Sequence, residues 1–299
     1  MGVLTGDFIG FSFNDISSSE LGIVRTSNGS RYEETLLPSF SDNTIQVTGS
    51  DRTHYFGSNY SPKVFNVPIA FDSLTEEQFR RLRTVFGDKE IHSLIFGEAP
   101  YKVYDAKISA PPQLKYICFN EGIAENEKRI YKGEGVLSFV AYYPYAYAKQ
   151  KAFNEYTEEN KNEWKITSGL KETLDGYDIY DETLGKIKVY NPGDIESDFY
   201  LYFNFNTEEI TIALSDNSRT LSFDKIEKAP DDNSNRLRIN TKLHLIESLD
   251  SNNKPSGFVY NKYITKGDFF KIPIGEEEIQ ITSTETLTDV EIDYKYWYY

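Results

Sequence analysis

The sequence predicts a mainly β protein of two domains: a β-rich first domain with one α-helix, then a β-sandwich or jelly roll. Three observations carry this reading. A chain of 299 residues suits about two domains. Tyrosine (23) and phenylalanine (20) dominate over two tryptophans and one methionine, and aromatic rings favour pleated, half-buried surfaces. Short runs in which apolar and polar residues alternate recur along the chain, separated by Gly, Asn, Asp and Ser clusters. That is the period of strands and the chemistry of turns.

The totals also exclude several classes. The single cysteine, Cys118, cannot found an intramolecular disulfide framework. Its setting, Tyr116-Ile117-Cys118-Phe119, suggests a small buried hydrophobe. Met1 to Asp15 has neither the basic region nor the apolar core of a signal peptide. No apolar run approaches the ~18 residues of a membrane span. A soluble protein made in a cytoplasm is expected. The formal charge is −15, and it is uneven. Residues 1–150 hold 15 Lys+Arg against 18 Asp+Glu, and residues 151–299 hold 17 against 29. So acidic a chain lacks the basic footprint of tight nucleic-acid binding.

In the first half, Ile9, Phe11 and Phe13 alternate as a strand, Asn14-Asp15 turns, and Leu21 to Val24 resumes. Asn28-Gly29 reads as a hairpin turn. Ile45 and Val47 mark a strand before Gly49-Ser50-Asp51-Arg52-Thr53. Phe65, Val67, Ile69 and Phe71 line the buried face of another, with Pro68 implying an edge or a bulge. Ser73 to Phe86 is the convincing helix. Ser73 and Glu76 have capping-box spacing, Phe79, Leu82, Val85 and Phe86 form one apolar stripe, and Gly87 supplies the stop. Arg80, Arg81 and Arg83 sit off that stripe, as a solvated face or, more sharply, a subunit contact. Strands follow at Leu94–Phe96 and Tyr101–Ile108, and Pro111-Pro112 breaks the run.

The stretch Arg129 to Ala148 closes this half. Gly133 and Gly135 read as a turn or bulge, and Leu137, Phe139 and Ala141 then share one face of a strand that Pro144 ends. Tyr142, Tyr143 and Tyr145 stud its end. Such amphipathic rings suit a half-packed, half-wet subunit contact. By spacing alone, a core strand running into a domain linker is the plainer reading.

Lys149 to Lys186 is polar and irregular, with Glu155, Glu158, Glu159 and Glu163, and reads as a linker or arm. From Ile187 short strands return. Phe199, Leu201, Phe203 and Phe205 share a face. Ile210, Ile212 and Leu214 alternate, as do Leu237 and Ile239, Leu243 and Leu245, and the run Val290 to Tyr298. Asn191-Pro192-Gly193-Asp194 and the run Gly267 to Gly275 carry turn chemistry.

No catalytic constellation emerges. His54, His92 and His244 stand apart in the sequence, and no Cys/His spacing suits zinc. Asp231, Asn233 and Asn235 mimic the start of a calcium loop, but Arg236 takes the glycine position and Lys242 the bidentate-acid position. Gly133-x-Gly135 lacks the third glycine and following helix of a dinucleotide site. No cofactor or metal is expected, and an enzyme is not.

Several of these motifs, in order, resemble the distal tail protein family of long-tailed bacteriophages. They are Phe11-Ser12-Phe13-Asn14 with its following serines and Leu21-Gly22-Ile23, then Gly49 with Asp51-Arg52. Tyr101 to Ala106 ahead of the double proline comes next, then the Gly133-initiated strand ending in Pro144-Tyr145-Ala146. The Asn191–Asp194 and Gly267–Gly275 turns, about eighty residues apart, complete the set. The resemblance implies a ring-forming first domain (1–149), a linker or arm (150–186) and a galectin-like or carbohydrate-module-like sandwich (187–299). It implies a structural virion protein of the tail tip or baseplate. Its homo-hexameric ring would join the tail tube protein to the tail-tip or baseplate hub and receptor-binding proteins, with host glycans as a further partner of the outer domain. Arg80, Arg81, Arg83, Tyr142, Tyr143 and Tyr145 are the expected subunit-interface residues. A lectin-like binding module without catalysis is the alternative, and a jelly-roll glycoside hydrolase or lyase the more distant rival.

The charge balance makes a direct prediction. Gel-shift titration with duplex DNA at ~100 mM salt should show no complex, and sub-micromolar affinity would contradict it.

Overall fold

The computed structural model describes residues 10–26, 38–48, 51–122, 128–149, 168–171, 173–204, 209–283, 287 and 289–299. Ile9, Asn28-Gly29, Gly49-Ser50, the glutamates from Glu155 to Glu163, and Phe205 lie outside the described residues. The chain divides into a compact unit covering Met1–Lys149 and another covering Gln150–Tyr298.

The first unit is built from β1 (Phe11–Phe13), β2 (Ile16–Ser17), β3 (Val24–Arg25), β4 (Phe40–Gln46), β5 (Thr53–Tyr60), β6 (Lys63–Thr75), α1 (Glu76–Gly87), β7 (His92–Phe96), β8 (Lys102–Ile108), β9 (Gln113–Glu121), β10 (Lys128–Ala141) and β11 (Ala146–Ala148). The main antiparallel sheet runs β2-β1-β7-β8-β10-β6-β3, with β9 added to β10 and β11 to β8. Asn14 and Asp15 both have positive φ, 54° and 58°. They make the two-residue turn that sets Phe13 opposite Ile16, the mirror-image turn that matches strand twist. The core gathers where α1 crosses the sheet. Phe13 lies 5.1 Å from Phe139 and 6.2 Å from Phe86, ring centre to ring centre.

Strand β10, with 14 residues, organises this sheet, pairing with β6, β8 and β9. Leu137, Phe139 and Ala141 are fully buried, as the alternation predicts. Gly133 and Gly135 form no turn. They lie inside β10, beside a register shift against β6 between Tyr131 and Gly133. A Cβ on Gly133 would collide with the Lys115 carbonyl oxygen and come within 2.7 Å of Tyr116 Cβ. One on Gly135 would collide with the Gln113 carbonyl oxygen. The glycines let β9 approach closely.

Other differences have simple causes. The helix begins two residues later than Ser73 suggests, because β6 keeps pairing with β10 through Thr75↔Ile130. Thr75 is therefore the cap. Its Oγ1 accepts from Gln78 N (3.3 Å), and Gln78 Oε1 accepts from Thr75 N (2.9 Å), a reciprocal capping box. Phe79, Leu82, Val85 and Phe86 are the buried stripe. Pro68 sits within β6. Its carbonyl accepts from Thr26 N at 2.9 Å, so its ring nitrogen faces β3, where pairing covers Val24 and Arg25 alone. The missing donor costs no ladder bond toward β10. Cys118, expected to be buried, is exposed, because β9 continues past the domain core.

The second unit contains β12 (Tyr180–Asp181), β13 (Lys186–Asn191), β14 (Phe199–Asn204), β15 (Ile210–Leu214), β16 (Thr220–Phe223), β17 (Arg236–Asn240), β18 (Leu245–Leu249), β19 (Pro255–Val259), β20 (Ile264–Gly267), β21 (Gly275–Ser283), β22 (Glu291–Tyr294) and β23 (Trp297–Tyr298). Two antiparallel sheets, β12-β13-β21-β15-β16-β20 and β19-β18-β17-β14-β22, form a sandwich. Ile187, Val189, Ile210, Phe223 and Ile279 of one sheet and Phe199, Leu201, Phe203, Leu237 and Ile239 of the other are all buried. Phe203 stacks on Phe223 across the sheets at 6.1 Å. Leu243, expected within a strand, is exposed in the turn between β17 and β18. Within the stretch read as linker, Ser168 and Leu170 are buried. Tyr298 and Tyr190 hydroxyls donate to the Ser168 and Gly169 carbonyls at 3.0 and 2.7 Å.

The two turn motifs singled out in the sequence meet. Asn191 is completely buried. Its Oδ1 accepts from Gly193 N (3.1 Å), and its Nδ2 donates to the Ile195 and Ile272 carbonyls (3.0 and 3.5 Å). Ser197 and Ile272 exchange both backbone bonds, at 2.9 and 2.8 Å. A Cβ on Gly193 would lie 2.9 Å from Trp297 N.

Asn191→Leu strands the Gly193 amide and the Ile195 carbonyl in the interior, at a cost of about 3 kcal/mol. The denaturant midpoint of the second domain should fall, and an unchanged midpoint would show that the motif is not a fastening. Leu82→Asp places a charge in the first core and costs several kcal/mol. The variant should be insoluble, and soluble protein melting as wild type does would mean the stripe is not buried.

Candidate assembly surface

Strands β4 and β5 form a two-stranded sheet of their own. Nearly every residue on them is exposed, including Phe40 and Phe56 (each 65%), Tyr55 (63%) and Ile45 (58%). The register runs from Phe40↔Tyr60 to Gln46↔Thr53 and shifts between Asp42 and Thr44. Gly57, at φ 99°, lies in that bulge, where Phe56 and Gly57 of β5 face Asn43 alone. Ser58 Oγ donates to Asp42 Oδ1 at 2.5 Å and shares a 2.8 Å bond with Tyr55 Oη. A lone hairpin is marginal in water, and large apolar side chains on both strands make this one a surface awaiting cover. The alternation of Ile45 with Val47 announces the first of these strands in the sequence, but it cannot tell a strand inside a sheet from one standing outside it, and the second strand is not announced at all.

The base of this arm touches one group of expected interface residues. Tyr60 packs on Tyr145 at 5.6 Å, and Tyr145 on Tyr143 at 5.2 Å. Burial, then the neighbouring Tyr60, pushes the Tyr145 hydroxyl well above the usual tyrosine range. It stays neutral and serves as a half-buried hydrogen-bonding ring. Tyr143 and Tyr142 are exposed, and Lys107 Nζ lies 5.2 Å from the Tyr142 ring centre.

The helix arginines divide. Arg80 pairs with Glu76 at 2.8 Å and Arg81 with Glu20 at 3.6 Å, all four side chains exposed. Such surface pairs contribute little. Arg83 lies instead over Phe79, at 4.9 Å, at a cleft of about 300 Å³ lined by Phe79, Leu82, Phe86, Pro112, Leu114 and Tyr116. A neighbouring cleft of about 570 Å³ includes Tyr142, Lys107 and Lys89 and shares Phe86, Gly87 and Pro112 with the first. The structure thus brings Arg83 and Tyr142 to adjoining clefts, and Tyr143 and Tyr145 to the root of the arm.

The histidines do not converge. His54 is exposed on the arm, His92 bonds Asp88 at 2.9 Å, and His244 stacks on Phe269. Among the described residues no group of three or more His, Cys, Asp or Glu is placed to hold a metal ion.

Comparison with known proteins gives the geometry a context. Residues 7–127 match the family described as phage tail protein N-terminal domain. Among solved structures, the chain resembles the Dit protein of phage SPP1, described as a paradigm of the hub adsorption apparatus in phages infecting Gram-positive hosts. The identity is 11% and the TM-score 0.53, over 97% of this chain and 99% of that one. A phage P2 baseplate chain, in the activated conformation with calcium, aligns at 11% identity and TM-score 0.40 over 96% and 97% of the two chains. The strontium form aligns at 10% and 0.41, with the same coverage. No curated protein matches the chain in sequence. Residues 7–127 thus match a phage tail protein N-terminal domain, and the chain as a whole shares the fold of the SPP1 Dit protein.

Proposed function

We propose that this chain is a structural, non-enzymatic subunit of a phage tail tip. Six copies form a ring that joins the tail tube to the baseplate hub and its receptor-binding proteins. The observation that carries this is the distal-tail fold across both domains, with a tail-protein domain first. The apolar arm and the clefts beside α1 and Pro112 support it, since they give that first domain surfaces that self-association would cover.

Charge supports placing the first domain in the ring. Residues 1–150 carry three more acidic than basic side chains, and residues 151–299 carry twelve more. Copies of the weakly charged half repel one another far less at close range. The strongly acidic half belongs at the periphery, where distance and salt weaken repulsion.

The test is assembly. Negative-stain electron microscopy of the purified full chain should reveal six-fold rings with a central opening, and light scattering should give a mass rising toward the hexamer across micromolar concentrations. Two-fold dimers, the commonest oligomers, or a monomer at every concentration would defeat the reading.

A further inference from the structure

The proposed ring leaves open what each copy presents to the next. The β4–β5 arm needs cover. Phe40, Ile45, Val47, Tyr55, Phe56 and Tyr60 are all about half exposed or more. Together they offer on the order of 500 Å² of mostly apolar surface, against the roughly 800 Å² per partner of a standard stable interface. The same domain carries a receptor of matching chemistry. The cleft between α1 and β9 has a floor of Phe79, Leu82 and Phe86, all buried, with Arg83 and Tyr116 exposed at its mouth. Its volume of about 300 Å³ accommodates an aromatic side chain. The arm carries Asp42, while Arg83 and Lys89 line this cleft and its neighbour.

From these facts we infer that the β4–β5 arm of one copy lies across the α1–β9 face of the next, with the Phe56 ring seated in the cleft beside Arg83 and Tyr116. The bulge at Phe56-Gly57 singles out Phe56. A bulge re-aims the side chains beside it, and Phe56 immediately precedes the positive-φ glycine, midway along the arm. Arm and cleft are different surfaces of one domain, so the contact is head-to-tail. Contacts of that kind close into rings when the rotation between copies allows. The inference rests on the ring reading above and specifies its contact.

The chain's single thiol makes the test direct. Cys118 lies on β9, on the same face as Tyr116 and Leu114 by strand alternation, and is exposed. His54 lies two residues from Phe56 on the exposed arm. In the His54→Cys variant each copy therefore carries one thiol on the arm and one beside the cleft. Treated with a short bis-maleimide at ring-forming concentration, it should give a ladder on denaturing gels that extends beyond dimers to the ring size. Wild type, with one thiol per copy, stops at dimers. Phe56→Ser should melt as wild type does, its side chain being solvent-exposed, yet need at least tenfold more protein to reach the same mass by light scattering. Rings with no ladder beyond dimers, or a Phe56→Ser variant that assembles as wild type does, would overturn the arm-in-cleft contact while leaving the ring intact. Monomers throughout would remove the ring and this contact together.

Discussion

No side chain fits between β10 and β9 at residues 133 and 135. The backbone carbonyls of Lys115 and Gln113 occupy the space a Cβ would need, so the pairing from Gln113↔Val136 to Glu121↔Lys128 depends on two hydrogens. Much of the first domain follows from that close approach. It lets β10 carry β9 and then β8 along one edge while β6 runs the length of the other. It places Tyr116 against Phe79 and Tyr131, whose rings lie 5.0 and 5.8 Å away. The cleft beside α1 exists because β9 is held there. Packing, more than helix or strand propensity, decides these positions, and glycine is tolerated in a strand interior for that reason.

The sandwich rests on a different device, a buried amide. Asn191 satisfies one amide and two carbonyls of the turns around it, Gly193, Ile195 and Ile272. A buried polar side chain is favourable when every bond is made and costly otherwise. This one joins the end of β13 to the segment preceding β21, which pair directly through Asn191↔Gly275. It fixes the meeting of two loops distant in sequence where apolar contacts alone would tolerate sliding.

Much of this architecture is legible in the sequence because period and punctuation agree. The β1–β2 turn, the helix stripe, the strand through Leu137 and Phe139, and the sandwich strands all follow from alternation bounded by turn residues. The helix start is misplaced because Ser73 and Glu76 satisfy the local capping rule, while the pairing of β6 with β10 holds the chain extended to Thr75. Cys118 is misjudged because an apolar neighbourhood in sequence, Ile117 and Phe119, is exposed with it on an overhanging strand. The glycines of β10 read as a turn or a bulge; a register shift does lie beside Gly133, but sequence carries no record of the strand that approaches them. For the same reason the arm escapes notice: exposure is a property of what surrounds a strand, and nothing inside Phe40–Tyr60 encodes it. The arginines and tyrosines near the clefts were nameable as candidates by chemistry, but how they divide between ion pairs, the root of the arm and the cleft mouths is a matter of tertiary placement.

The threading of the sandwich has a kinetic consequence. β14 lies between β17 and β22, and Gly193 packs on the backbone of Trp297. Strands made early therefore wait for partners made about a hundred residues later. Pairings of such long separation pay their loop-closure entropy before any contact repays it, so the domain folds slowly relative to helical proteins of its size. On the ribosome, β14 keeps an open edge until residues 291–298 emerge. A chain interrupted before that point cannot close its second domain and should remain recognisable to proteases.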